Sequence, residues 1–141
     1  MWKQAILTLV GLAGMAPAWA HHSFGAEYDA SKPITVTGVV TEVQWTNPHI
    51  YFFLDARTKN GAVEHWKFEG YPPGVLNRIG WKRNATMAPG DTVTVSGWRA
   101  RDGSRWGHSR EVTFAKDGKK LQSGPPAGNG DGGNRPPTFA K

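Results

Sequence analysis

The side chains with the most chemistry in this chain are its five histidines. Two stand together at His21-His22; the others are His49, His65 and His108. A cut after Ala20 would leave His21 with a free α-amine and an imidazole on one residue. Those two groups chelate a single Cu(II) ion well, because the amine titrates at about 8 and the imidazole at about 6.5, so both deprotonate cheaply near neutrality. His22 adds a second imidazole, and Cu(II) favours tetragonal nitrogen ligation. A further imidazole would complete a site resembling a histidine brace. His49 and His108 each open a predicted strand and so fall near a barrel rim, while His65 lies between Glu64 and Trp66 with a solvent-facing position expected. The expected metal ligands are therefore His21, His22, His49 and His108, with copper as the leading cofactor. Cysteine is absent, which excludes Cys-ligated zinc, Cys-attached haem and thiol catalysis. Met87 is the sole methionine past residue 20, so a Cu(I) or blue-copper site is not expected.

A second constellation is aromatic. Tyr51, Phe53, Trp98 and Trp106 exceed what one small core needs, and they form the expected ligand-binding set. OB-type barrels take extended ligands on the face of strands two and three by stacking and basic contacts. In an exported protein that ligand is a glycan, a peptide or a small molecule rather than nucleic acid. Packing at the barrel rim is the competing role for these rings. Carboxylates offer a third and weaker option: Glu69 ends an apolar strand and could act as a general base with Asp55 beside it. No nucleophile elbow, P-loop, dinucleotide fingerprint or HExxH motif accompanies them. A binding or accessory module, rather than an enzyme, is the expected class.

Export is read from the N-terminus. Lys3 gives a short positive region, Ala5 to Ala16 is apolar, and Ala18-Trp19-Ala20 is a small-x-small cleavage pattern. The apolar run is shorter than the roughly 20 residues a membrane span needs. The expected compartment is bacterial and periplasmic or beyond, with no stable membrane insertion after cleavage. The chain is basic, with a formal net charge of +6. Its cations are scattered along the sequence, which suits a dispersed surface or attraction to an anionic envelope component better than a nucleic-acid groove.

The elements that must position these groups follow from period and punctuation. Residues 21–32 are polar and read as an N-terminal arm. From Pro33 the alternation is strand-like, and its phase changes across Gly38-Val39-Val40, which predicts a bulge there. Asn47-Pro48 marks a turn, and His49 to Ala56 is a second strand. Asn60-Gly61 predicts a hairpin turn into a third strand, Ala62 to Glu69. Pro73 to Ile79 suits a short helix stopped by Gly80. Thr92 to Ala100 and His108 to Ala115 are two more strands. Residues 122–141 are Gly/Pro-rich with little to bury, and are expected to be disordered. Three strands, a helix and two strands give an all-β fold with one short helix, a small OB-like five-stranded barrel over residues 33–121; a small sandwich is the alternative.

His21-His22-Ser23-Phe24, Trp45-Thr46-Asn47-Pro48-His49, Trp66-Lys67-Phe68-Glu69-Gly70, Gly80-Trp81 and Pro89-Gly90-Asp91-Thr92-Val93 together resemble the DUF6152 family of small exported bacterial proteins. The resemblance spans roughly residues 21–121. It implies a compartment and a fold but no reaction, and it assigns no catalytic residue.

Overall fold

A computed structural model describes residues 24–126. A single helical turn, α1 (Phe24–Glu27), leads into β1 (Tyr28–Gln44). β2 (Tyr51–Arg57), β3 (Val63–Glu69), α2 (Pro73–Arg78), β4 (Thr92–Ala100), β5 (Trp106–Phe114) and β6 (Lys120–Gln122) follow. Neighbouring strands run in the order β3-β2-β1-β4-β5-β6, and β3 also pairs with β5. That last contact is parallel, Lys67 to Glu69 against Trp106 to His108, while the others are antiparallel. It closes β1, β2, β3, β5 and β4 into a ring, and ring plus intervening helix is the OB-like arrangement expected. Closure leaves few open strand edges to satisfy.

Alternation explains which side faces in. Val36, Val40, Phe52, Leu54, Trp66, Phe68, Val93, Val95, Val112 and Phe114 fill the interior with Leu76 of α2, Trp81 and Met87. Phe52 and Phe68 are fully buried and stacked with centroids 5.6 Å apart; burial of each contributes about 2–3 kcal/mol. The opposite parity of β2, β3 and β4 faces outward and carries His49, Tyr51, Phe53, Lys67, Glu69 and Trp98. On β5 the register shift between Ser109 and Glu111 reverses the phase, so Trp106 and His108 join that outer face although they share the parity of Val112 and Phe114. The Asn60-Gly61 turn holds, with Gly61 at φ +85°. α2 enters through Pro72-Pro73 and ends before Gly80, whose φ is +98°.

Three local expectations are corrected. The irregularity in β1 falls between Val40 and Glu42 rather than at Gly38-Val39-Val40. Gly38 pairs in register with Val93, and a Cβ there would meet the Asp55 carbonyl oxygen at 2.7 Å. The arm is structured from Phe24 onward, and β1 starts at Tyr28, ahead of Pro33. Tyr28 is the reason: its ring is 2% exposed, so the segment has an apolar anchor that its polar neighbours conceal. The expected disorder from residue 122 also starts too early. Gln122 belongs to β6, and Ser123 to Pro125 are buried. Backbone bonds from Tyr71 to Ser123 (2.7 Å) and from Ser123 and Gly124 to Arg110 hold that stretch, and Trp81 Nε1 donates to the Gln122 carbonyl at 2.9 Å. The His21-His22 pair, the expected leader and residues 127–141 lie outside the described residues. Among the described residues no helix is long and apolar enough to cross a membrane.

Candidate metal centre

Three side chains from three places in the sequence meet on the outer face of the ring. Glu69 ends β3 and sits opposite His108 of β5 in the short parallel ladder. His49 follows the cis Asn47-Pro48 bond and precedes β2. Its neighbour Ile50 donates to Tyr71 O and accepts from Gly70 N, which fixes His49 beside Glu69. One ligand atom from each of His49, Glu69 and His108 lies within 4.8 Å of the other two. A metal held at about 2.1 Å by each donor spaces them by about 3–4 Å, so the group needs little movement to close on an ion.

The geometry of each donor favours that chemistry. His49 Nδ1 lies 2.7 Å from Glu69 Oε1. The two form a half-buried ion pair when the imidazole is protonated. The neighbouring carboxylate raises the His49 pKa above its ordinary value, against the opposing effect of burial. Glu69 is pushed up by burial, but His49 and the Tyr28 hydroxyl outweigh this and hold it below the usual carboxylate range. Tyr28 donates to the other carboxylate oxygen, Oε2. Burial and that carboxylate push the Tyr28 phenol far up, so it remains a donor. His108 Nδ1 is 3.0 Å from the Ser109 carbonyl, which can only accept; the proton is therefore on Nδ1 and the lone pair on Nε2. Burial lowers the His108 pKa to about 4, so the ring is neutral at physiological pH. A carbonyl that fixes the tautomer of a neutral imidazole, and a phenol that orients a carboxylate, are the usual outer partners of metal ligands.

Aromatic rings surround the centre. Phe24 of α1 packs against His108, Trp98 and Tyr28 with centroids 5.3, 5.3 and 5.4 Å away. Arg101 anchors α1 by donating from Nε to Gly25 O at 2.6 Å and from its backbone to Glu27 O.

Of the expected ligands, the structure brings His49 and His108 together; His21 and His22 are outside the described residues. His65 is exposed and paired with Asp55 at 2.6 Å, away from the centre. Asp55 therefore does not serve Glu69, as the general-base reading required. The four expected ligand-binding aromatics share the outward face with the centre. Trp98 sits opposite His108 in the β4–β5 ladder, Tyr51 opposite Glu69, and Phe53 opposite Lys67. Their ring faces are not all open, because Lys67 Nζ sits 4.3 Å from the Tyr51 centroid and 4.4 Å from that of Trp106. Sequence reasoning missed Tyr28 and the place of Glu69 in this cluster. The signal for Glu69 was its parity with Lys67 on β3; the pairing of β3 with β5, which sets it against His108, was not readable.

No curated protein matches this chain. Among solved structures, the crystal structure of the mitochondrial single-stranded DNA binding protein Rim1 from S. cerevisiae is similar at 9% identity and a TM-score of 0.47. The match covers 60% of this chain and 93% of that one. The model of the family of unknown function DUF6152 matches residues 9–109, in agreement with the resemblance seen in the sequence. The chain is a member of the DUF6152 family.

Proposed function

We propose that this protein is an exported binding or accessory module that holds one divalent metal ion, with Cu(II) favoured, through His49, Glu69 and His108. The observation that carries the reading is the cluster itself: one ligand atom each of His49, Glu69 and His108 lies within 4.8 Å of the other two, and His49 Nδ1 stands 2.7 Å from Glu69 Oε1. Two donors on adjacent positions of a tetragonal ion are about 2.9 Å apart, so an ion fits between these atoms with a small outward shift. Two imidazoles and one carboxylate suit copper, zinc or nickel better than calcium or magnesium, which want more oxygens.

The N-terminal histidines belong to the same reading. Phe24 packs on His108, and three residues of chain span at most about 10 Å. In this reading His21 supplies further nitrogen from its imidazole and, after cleavage at Ala20, from its amine. Titrating Cu(II) into chains beginning at His21 and into chains with an added N-terminal glycine tests this part. Tighter binding by the first is expected; equal affinity rejects a role for the His21 amine.

A thermal-shift panel of divalent ions tests the whole reading. Copper at about a hundred times its Kd should stabilise the fold by about 2.7 kcal/mol, while calcium and magnesium should not. A glycan or peptide on the outer face is the second reading. It is favoured by the groove of about 350 Å³ lined by Phe53, Trp66, Lys67 and Arg105. The same panel, with oligosaccharides and peptides added, separates the two.

A further inference from the structure

Lys67 stands two positions before Glu69 on the same face of β3, about 6.6 Å along the strand. Its ammonium is wedged between the Tyr51 and Trp106 rings. Among the described residues no carboxylate lies within ion-pair distance of it. Trp106 Nε1 beside it is buried and has no acceptor. Both rings abut the centre: Tyr51 faces Glu69 across the ladder, and Trp106 lies edge-on to Tyr28 at 6.1 Å. Cation–π contact holds a lysine in place without neutralising it.

The charge balance then has a definite sign. A dication bound to Glu69 and two neutral imidazoles retains one positive charge. Glu27 also acts on Tyr28, Tyr51 and His49; Lys67 carries the opposite charge beside the Tyr51 ring. The three donors leave a position open on a tetragonal ion. We propose that this open position takes a small anionic ligand, and that Lys67, which does not touch the metal, raises the affinity for that anion. The inference rests on the metal reading above.

Azide is a suitable probe, because it binds Cu(II) and gives a charge-transfer band. The copper-loaded protein should bind azide, and the copper-free protein should not. Lys67→Met should weaken azide about fivefold at low ionic strength, the size expected of a unit charge several ångströms away after screening. Lys67→Arg should restore wild-type affinity to within about twofold; copper affinity should rise in Lys67→Met, because a neighbouring positive charge is removed, and stay unchanged in Lys67→Arg. Should Lys67→Met fold poorly, Lys67→Gln takes its place, with the same loss expected. Equal azide affinity in wild type and the neutral variant overturns the inference while leaving the metal reading intact. Copper bound without any azide band does the same. Failure to bind copper at all overturns both.

Discussion

Glu69 is the residue on which the centre turns, since it touches His49 through one oxygen and Tyr28 through the other. Removing the Tyr28 hydroxyl frees Oε2 and lets the carboxylate rotate. Tyr28→Phe should therefore weaken metal binding by about 10- to 100-fold, as loss of outer partners commonly does; a competition titration with a chelator measures it, and unchanged affinity would remove Tyr28 from the account. His108 makes a separate prediction about pH. Its folded pKa of about 4 lies below the unfolded value, so the unfolded chain binds more protons between about pH 6.5 and pH 4. The stability it contributes is present above about pH 6.5 and is lost as pH falls through that window. Urea melts of the metal-free protein should show a steeper acid loss for wild type than for His108→Gln. His49, with its raised pKa, acts in the opposite sense: its contribution is present at low pH and fades as pH rises through its folded value.

At the scale of the element, the centre depends on backbone approaches that only glycine permits. β4 and β5 shift register between Ser96 and Gly97, and a Cβ on Gly97 would meet the His108 carbonyl oxygen at 2.0 Å. That obstacle is backbone and cannot swing aside. Gly97→Ala should cost about 3 kcal/mol in urea denaturation, at the upper end for overpacking, and should displace His108. β6 provides a second test. A chain ending at Lys119 loses the Ser109–Ser123 hydroxyl pair and the acceptor of Trp81 Nε1. It should melt several degrees below a chain ending at Pro126 if the segment is structural. The elements themselves were largely legible, because alternation and turn residues are local signals: Thr92 to Ala100 was read with its observed bounds, and Asn60-Gly61 with its turn. β6 was not, since Lys120 to Gln122 is too short to show a period and gains its order from β5. The β1 start was missed because one buried tyrosine among Asp, Ser and Lys makes no pattern.

For the whole molecule, ring closure is what creates the site. His49, Glu69 and His108 are far apart in sequence, and each looked like an isolated polar residue at a strand end. His49 and His108 were expected as ligands from their residue type and their places at the starts of predicted strands. Glu69 joined them only once β3 was seen to pair with β5, a contact no periodicity predicts. The same closure sets Lys67 against Trp106 and so places a cation beside the centre. The central claim is that these three side chains hold a metal. Isothermal titration of Cu(II) into the wild-type protein and into His49→Ala/His108→Ala decides it. One ion per chain with micromolar or tighter affinity, lost by at least about a hundredfold in the double variant while its fold persists by circular dichroism, is the predicted result. Binding of equal strength and stoichiometry in both proteins, or no binding by wild type, would contradict the account.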